Sequence, residues 1–245
     1  MGEVIAVLSG KGGTGKTSTC AGISAALAAA GIPVLCIDLD IGLRNLDISL
    51  GLADRGALSF LDVSEGGYSL DQAARHPDYP SLAFLTAPLN RSAEQISSAA
   101  FGKLLREARK HFEYILLDAP AGLDAGFRLA AAHADRCILV TGSDPASIRD
   151  ARRTADVLEL MGKTDVRLVI NRVSAKMAAT LRLTMDDIID ETGIRLLGLI
   201  PEDVNVVLAA TYGIPLRQQT KKGAAAACQR IAKRIQGIPE PINIR

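Results

Sequence analysis

The sequence has no tryptophan, and only 4% of its 245 residues are aromatic. Base-stacking surfaces and aromatic-rich binding sites need such side chains, so both are disfavoured. Because 48% of the residues are hydrophobic, the core has to be built mostly from Ala, Val, Ile and Leu. The chain also lacks a strong charge of either sign, since 28 basic and 27 acidic residues leave a formal net charge of +1. This balance gives no general attraction to nucleic acid.

The four cysteines are far apart and form neither a CxxC pair nor a Cys/His ligand cluster. Clustered zinc and iron–sulfur sites are therefore disfavoured, and we expect buried thiols in a reducing compartment. The amino terminus lacks the basic and apolar regions of a signal peptide. One uncharged run, 17–37, could span a bilayer by length, but Gly31 and Pro33 interrupt it. A buried helix followed by a buried strand explains that run better, so we expect a cytoplasmic protein.

Short β-branched runs alternate with longer amphipathic or Ala-rich segments along the chain. Continuous apolar strands without strict alternation are buried on both faces, which is typical of a parallel sheet between helices. We therefore predict an α/β fold with a doubly wound, mostly parallel sheet and helices on both faces. One domain would cover 1–236, and an extended tail would cover 237–245. The predicted strands are 3–9, 33–38, 82–86, 114–119, 136–141, 166–171 and 195–200, and the predicted helices include 16–30, 94–111, 146–161 and 184–192.

A glycine-rich loop, S-G-K-G-G-T-G-K-T at 9–17, follows the first predicted strand and precedes a predicted helix. In this context it matches the P-loop pattern G-x-x-x-x-G-K-[ST]. The backbone N–H groups of such a loop wrap a phosphate, and the following helix points its positive end at the same anion. Lys16 adds a charge near the β- and γ-phosphates, and the Thr17 hydroxyl is placed to ligate Mg²⁺. The predicted phosphate-binding residues are Gly10, Lys11, Gly12, Gly13, Thr14, Gly15, Lys16, Thr17 and Ser18.

Three carboxylates follow predicted strands near this loop. Asp38 and Asp40 come at and just after the end of 33–38, and Asp118 ends the apolar run 114–118. Ligands of such sheets bind at the carboxyl ends of the strands. Phosphoryl transfer needs a metal ion, charge neutralisation and an oriented water rather than covalent help from the protein. These carboxylates are therefore the candidates for metal binding and for orienting water.

The second lysine of the loop, Lys11, is not required by the general P-loop pattern. With it, the string KGGTGKT resembles the deviant Walker A motif of the MinD/ParA group of P-loop ATPases. The string DLDIGLRNLD at 38–47 resembles the first switch region of the MinD branch of that group, and matching blocks extend from residue 1 to about 236. The resemblance implies a Mg²⁺-dependent ATPase that converts ATP to ADP, dimerises on ATP binding and acts as a spatial switch in placing the division site.

The resemblance also implies roles for single residues. Lys11 would reach across the dimer to the partner's nucleotide, Asp40 would orient the attacking water, and both would act with Lys16 on the transferred phosphate. Asp38 and Asp118 would hold magnesium and its waters together with Thr17. These assignments make Lys11, Lys16 and Asp40 the expected catalytic residues, and Thr17, Asp38 and Asp118 the expected metal-binding residues.

Further roles implied by the resemblance concern the second switch and the nucleotide base. Gly122 would lie in the second switch, where its amide would sense the γ-phosphate. Arg44 and Asn45 lie in the first switch and would signal the nucleotide state to a partner. Asn171 would read adenine, helped by backbone of the segment containing Pro201, Glu202 and Asp203. Taken alone, an asparagine at the end of a strand is also a common turn former.

The carboxyl-terminal part of the chain is basic and departs from the MinD branch. Residues 217–245 carry a net charge of +6, which leaves −5 for the rest. Members of that branch usually end in a short amphipathic helix that inserts into the inner membrane. Here the apolar stripe of the last helix consists of Ala224, Cys228, Ile231 and Ile235, which suits docking on the domain better than insertion. The usual anchor is not recognisable, so contact with an anionic membrane, as a peripheral protein on its inner face, stays open.

Several functions remain open from the sequence. Within the same group they are a ParA-like partition ATPase that binds DNA through the basic tail and a flagellar-placement ATPase; a metabolic amidase or ligase is a further alternative. For the division-site hypothesis we expect a homodimer with ATP, a division-inhibitor partner and an ATPase-activating partner, whereas nucleic acid is not expected. The three histidines, His76, His111 and His133, share no ligand spacing and receive no role.

Overall fold

The fold is built on a single mixed sheet of eight strands. The computed structural model describes residues 1–53, 55–89, 91–174 and 184–242. The strands are β1 (Glu3–Leu8), β2 (Val34–Asp38), β3 (Ala74–Arg75), β4 (Leu82–Leu85), β5 (Tyr114–Asp118), β6 (Arg136–Thr141), β7 (Val166–Val173) and β8 (Arg195–Pro201). All seven strands that the sequence predicted are present; β3 was not predicted because two residues carry no periodic signal.

The strand order of the sheet is β3-β4-β2-β5-β1-β6-β7-β8. Every neighbouring pair is parallel except β3 with β4 at one edge. β5 lies between β1 and β2, and Asp38 at the end of β2 is in register with Asp118 at the end of β5. The topology alone therefore places two of the predicted carboxylates side by side, next to the loop that follows β1.

Helices cover both faces of the sheet, which confirms the predicted fold class. They are α1 (Lys16–Ala29), α2 (Leu46–Leu50), α3 (Phe60–Ser64), α4 (Ser98–His111), α5 (Ala125–His133), α6 (Pro145–Leu160), α7 (Met185–Thr192), α8 (Val204–Tyr212), α9 (Leu216–Gln219) and α10 (Gly223–Ile235). One apolar core contains side chains of α3 to α7 and the other contains side chains of α1, α2 and α8 to α10. Among the described residues, none of these helices combines the length and apolar character needed to cross a membrane.

The last helix, α10, is docked on the domain as its small-residue stripe predicted. Ala224, Cys228, Ile231 and Ile235 are all buried, and the helix packs against α1 and β8. A Cβ added to Gly22 would lie 2.6 Å from Cys228 Sγ, so the glycine allows this close approach. All four cysteines are buried and free, as the sequence analysis expected.

Helix starts account for the largest error in the predicted boundaries. The helix expected over 94–111 begins at Ser98, because residues 93–95 form a separate 3₁₀ turn and Ser97 caps α4 through a bond from Ala100 N–H. By contrast, α7 begins after Thr184, as predicted. The Thr184 hydroxyl accepts from Asp187 N–H, and the Asp187 carboxylate accepts from Thr184 N–H. This capping box is readable in the sequence.

Candidate functional site

The phosphate-type loop joins β1 to α1 at the carboxyl edge of the sheet, and two of its glycines have left-handed backbone. Gly13 and Gly15 both have φ of 82°. A Cβ on Gly15 would lie 2.1 Å from Asn171 Nδ2, so this position requires glycine for space as well as for conformation. These two glycines curve the loop, and Gly15 packs against Asn171 near the end of β7.

The amino-terminal end of α1 is free of competing side chains. Gly15 is its N-cap, no side chain accepts a hydrogen bond at the cap, and the first turn contains no acidic residue. The first N–H groups of a helix lack intrahelical partners, and the helix dipole is positive at this end. The start of α1 is therefore built to bind an anion.

Lys16 and Asp118 form a buried ion pair beneath the loop. Lys16 Nζ donates to Asp118 Oδ1 at 2.7 Å, and a longer bond of 3.3 Å runs from Lys16 Nζ to Thr17 Oγ1. Burial raises the pKa of the Asp118 carboxyl above its usual value, and Lys16 opposes that shift. The pair brings the loop lysine and the β5 carboxylate, which are 102 positions apart in the chain, into direct contact.

Asp38 is the second buried carboxylate of this edge. Its Oδ1 accepts from Asp40 N–H at 2.8 Å, and its Oδ2 accepts from Leu46 N–H at 3.3 Å. Burial, and next the neighbouring Asp118, raise the pKa of Asp38 to about 7. Two carboxylates that repel each other in a poorly solvated place favour a cation between or beside them.

The oxygen atoms at this edge fit a magnesium ion. Asp118 Oδ2 is buried and, among the described residues, has no hydrogen-bond partner. The Thr17 hydroxyl accepts a hydrogen bond from Lys16 Nζ, which also donates to Asp118. Asp38 lies in register with Asp118 on the adjacent strand. Carboxylate and hydroxyl oxygens are the ligands that Mg²⁺ takes in proteins. The three predicted metal-binding residues are thus brought together.

Asp40 shapes the loop that leads from β2 to α2, at 39–45. Its Oδ1 accepts from Gly42 N–H and Leu43 N–H, both at 3.4 Å, and its carbonyl accepts from Arg44 N–H at 3.2 Å. The Leu43 side chain is 71% exposed. Asp40 itself is half-buried, and its carboxylate is hydrogen-bonded to amides of its own loop.

The predicted second switch contains Gly122, which has φ of 92°. Its N–H donates to the Ser9 carbonyl at 3.1 Å, so the segment after β5 is tied to the start of the phosphate-type loop. For the Gly122 amide to donate to a γ-phosphate oxygen, its bond to the Ser9 carbonyl would have to break.

Lys11 and Lys16 have different acidic partners in this structure. Lys11 Nζ lies 3.4 Å from Asp144 Oδ1, and both side chains are partly exposed. Asp144 is also the N-cap of α6, where its carboxylate accepts from Ser147 N–H at 3.0 Å. Sequence reasoning did not identify Asp144 as a partner of Lys11, although it predicted the helix over 146–161 that follows this residue.

A cavity of about 390 Å³ adjoins the loop on the side of Asn171. It is lined by the predicted base-binding residues Asn171, Pro201, Glu202 and Asp203. Sequence reasoning did not assign the other lining residues to this cavity, among them Thr19, Ile200, Val206, Val207, Leu216 and Cys228. Those residues come from α1, β8 and the three last helices; Cys228 was recognised only as part of the apolar stripe of the last helix.

Asn171 has a fixed amide orientation. Its Nδ2 donates to the Thr14 carbonyl at 2.8 Å, and its Oδ1 accepts from Arg172 N–H at 2.9 Å. Arg172 has φ of 54° and lies at an irregularity of the β7–β8 pairing. One N–H and one oxygen lone pair of the amide remain, which is the pattern that pairs with N7 and the 6-amino group of adenine.

Asp203 joins the starts of two helices. Its Oδ1 accepts from Asn205 N–H in α8 at 2.9 Å, and its Oδ2 accepts from Ala224 N–H in α10 at 2.9 Å. A Cβ on Gly223 would lie 2.2 Å from Asp203 Oδ2. The wall of the cavity and the carboxyl-terminal helix are therefore held by one carboxylate.

A P-loop on a parallel sheet, an ion pair between its lysine and a strand-end aspartate, and an adjacent base-sized cavity define a P-loop nucleotide-binding protein. Residues 5–216 match the CobQ/CobB/MinD/ParA nucleotide binding domain family. The chain is 37% identical to the septum site-determining protein MinD of Synechocystis over 244 residues, which cover 98% of this chain and 92% of that protein. The chain belongs to the MinD/ParA nucleotide-binding family, in its MinD branch, and is a MinD-like cell-division ATPase.

Solved structures agree with this placement. A MinC:MinD cell division protein complex from Aquifex aeolicus matches with a TM-score of 0.90 and 36% identity, covering 98% of each chain. The septum site-determining protein MinD of Pyrococcus horikoshii, complexed with Mg-ADP, matches with a TM-score of 0.83 and 26% identity, covering 96% of each chain. The resemblance drawn from the loop and the first switch is confirmed, as is the predicted fold.

Proposed function

We propose that this protein is a Mg²⁺-dependent ATPase that dimerises on ATP binding and acts as a spatial switch in division-site selection. The observation that carries the proposal is the convergence of Lys16, Thr17, Asp38 and Asp118 at one edge of the sheet, beneath a loop that binds phosphate. This arrangement supplies charge neutralisation and oxygen ligands where a triphosphate would lie. The base would occupy the cavity next to Asn171.

The phosphate loop and the start of α1 would hold the phosphates. N–H groups of the curved loop Gly10–Thr17 donate to phosphate oxygens, and Lys16 has a further N–H besides its bonds to Asp118 and Thr17. Thr17, Asp38 and Asp118 would hold magnesium and its waters. Bound Mg²⁺ supplies charge for the β- and γ-oxygens during transfer. Ser18, one position further along α1, lines the base cavity.

Asp40 would orient the attacking water. In hydrolysis the water oxygen forms a bond to the γ-phosphorus, the bond from that phosphorus to the bridging oxygen of ADP breaks, and the water proton leaves to solvent or phosphate. The Asp40 carboxylate can accept a hydrogen bond from this water, because its bonds to Gly42 and Leu43 both go to Oδ1 and leave Oδ2 available. Both loop bonds are long, at 3.4 Å, so they restrain the carboxylate only weakly.

The position of Lys11 supports a dimer that forms with ATP. Lys11 is partly exposed, and its ion pair with Asp144 is long and solvent-accessible, so it can be exchanged for a phosphate of a second subunit. The relative from Aquifex aeolicus is part of a MinC:MinD complex, which supports a division-inhibitor partner for this chain too. An activating partner would act on the first switch, which presents the exposed Leu43.

The basic carboxyl-terminal segment is partly neutralised within the chain. Lys233 is paired with Glu240, and Arg234 donates to the carbonyls of Leu197, Glu240 and Pro241. Lys221 and Lys222 are exposed. Contact with an anionic membrane therefore rests on the exposed lysines, and co-sedimentation with anionic vesicles, with ATP against ADP, measures it. Salt-sensitive, ATP-dependent binding to DNA instead would favour the partition function.

The test of the proposed mechanism compares two acidic residues of the same segment. Asp40→Ala should lower the hydrolysis rate about a hundredfold or more while ATP binding and the ATP-dependent dimer persist. Asp47→Ala is the matched control, since the one hydrogen bond of the Asp47 carboxylate within the described part of the chain comes from Ile48 N–H. Lys16→Ala should remove hydrolysis together with tight ATP binding. Hydrolysis by Asp40→Ala at the wild-type rate would show that another residue orients the water.

A further inference from the structure

The first switch contains a backbone conformation that its sequence does not favour. Arg44 has φ of 47°, and it is one of two non-glycine residues with positive φ among those the structure describes. A left-handed conformation at such a residue is unfavourable and persists where surrounding contacts hold it. The contacts of Arg44 therefore show what fixes the shape of the loop.

The Arg44 side chain is attached to Thr86, 42 positions away in the sequence. Arg44 Nε donates to Thr86 Oγ1 at 3.0 Å. Thr86 is buried just after β4, and its backbone is fixed on both sides. Its N–H donates to the Leu58 carbonyl at 2.9 Å, and its carbonyl accepts from Phe60 N–H at 2.9 Å. The hydroxyl is thus a rigid acceptor for a residue of a loop.

Open space adjoins the half-buried Arg44 side chain. Two clefts of about 350 Å³ and about 310 Å³ are each lined by Arg44, Ala57 and Thr86. Asp47, Asp62 and Glu65 line one cleft or the other, yet no ion pair joins Arg44 to any of them in the described part of the chain. The bond to Thr86 is therefore the polar contact that fixes the position of the side chain among the described residues.

We propose that Thr86 is a positioning residue for the first switch. Its hydroxyl holds Arg44, Arg44 N–H is bonded to the Asp40 carbonyl at 3.2 Å, and the loop amides shape the surroundings of the Asp40 carboxylate. Loss of the hydroxyl releases Arg44 into the clefts and loosens the backbone that carries Asp40. The effect on hydrolysis rests on the proposed role of Asp40, whereas the effect on the loop does not.

The first arm of the test measures the loop without nucleotide. Thr86→Val removes the acceptor at nearly constant volume, and Thr86→Ser keeps it. Amide hydrogen exchange at Gly42, Leu43 and Arg44 should be about five- to tenfold faster in Thr86→Val, which is the factor given by loss of one ordinary hydrogen bond. Exchange in Thr86→Ser should stay within about twofold of wild type. Equal loop exchange in the Val and Ser variants would overturn the proposal.

The second arm measures steady-state hydrolysis. Thr86→Val should lower kcat about five- to tenfold and leave KM for ATP within about twofold, because the phosphate loop and base cavity are untouched. The double variant Arg44→Ala/Thr86→Val should be no slower than the slower single variant, since both act through one bond. If the rate loss of the double variant equals the product of the two single losses, or if KM alone rises, Thr86 does not act through Arg44.

The two arms separate two kinds of failure. Faster exchange in Thr86→Val with unchanged kcat would support the restraint of the loop by the Arg44–Thr86 bond and contradict the role given to Asp40. Unchanged exchange together with unchanged kcat would contradict only the restraint of the loop by this bond. A melting temperature close to wild type for Thr86→Val excludes general loosening of the fold as the source of either effect.

Discussion

Lys16 Nζ lies 2.7 Å from Asp118 Oδ1, and both side chains are buried beneath the loop that begins α1. Removing one partner of a buried pair leaves an uncompensated charge, which costs about 3–5 kcal/mol. Lys16→Met should therefore lower the free energy of unfolding by about that amount, and Lys16→Met/Asp118→Asn should recover at least about 2 kcal/mol of it. Urea unfolding at mildly alkaline pH measures both variants. Strictly additive losses would show that the two groups are not coupled.

The contact between Lys11 and Asp144 predicts how charge affects dimerisation. Asp144→Asn removes the negative charge but keeps an acceptor for the N-cap of α6, so the helix should remain intact. An exposed ion pair contributes up to about 1 kcal/mol, so freeing Lys11 should lower the ATP concentration needed for dimers by up to about fivefold. Light scattering across an ATP titration measures this. A need for more ATP would instead give Asp144 a supporting role in the dimer.

The fixed amide of Asn171 predicts selectivity between purine bases. Guanine presents an acceptor where adenine presents its amino group, so guanine would face the Asn171 oxygen. Asn171→Ala should weaken ATP binding about tenfold or more and weaken GTP binding less. Competition against a fluorescent nucleotide measures both. Asn171 also donates to the Thr14 carbonyl, so tripolyphosphate, which has no base, is the internal control for any effect on the loop, and its affinity should fall less than that of ATP. An unchanged preference for ATP over GTP would remove Asn171 from base recognition.

His76 predicts a loss of stability in acid. Its Nε2 donates to the Leu50 carbonyl at 3.0 Å, and its Nδ1 accepts from Asp78 N–H at 3.1 Å and Tyr79 N–H at 3.2 Å. Burial lowers the pKa of His76 below 6.5, so the folded state holds the neutral ring. Its contribution is therefore complete above about pH 6.5 and is lost as the pH falls through the lowered value.

Urea midpoints of wild type and His76→Asn, compared from neutral to acidic pH, test this contribution. The stability advantage of wild type should shrink as the pH falls, because protonation removes the Nδ1 acceptor that the asparagine variant never had in the same place. A difference that stays constant across the range would assign the contribution to ring packing against Tyr79, whose ring centroid lies 4.9 Å away.

Sequence reasoning recovered what local pattern and topology determine. Apolar runs marked the strands, and the parallel order then placed Asp38 beside Asp118 without knowledge of any side-chain position. It could not find the contacts that join distant segments, such as Arg44 with Thr86 or Lys11 with Asp144. Neither pair has a periodic or spacing signal, because each is made by loops whose shape depends on the assembled sheet.

The base cavity shows the same limit in another form. The family resemblance assigned adenine recognition to Asn171, but the left-handed Arg172 that orients its amide has no sequence signature. The part of the cavity lining that contains Leu216 and Cys228 forms only when the last helices pack on α1. In the sequence, Cys228 belongs to an apolar stripe, which gives no indication that it lines a cavity.

The Asp203 carboxylate connects the base cavity to the last helix of the chain. It accepts hydrogen bonds from the start of α8, at the wall of the cavity, and from the start of α10. Displacement of the 201–203 segment would strain or break the bond from Ala224 N–H to Asp203, so the shape of the base cavity and the seating of α10 depend on the same carboxylate.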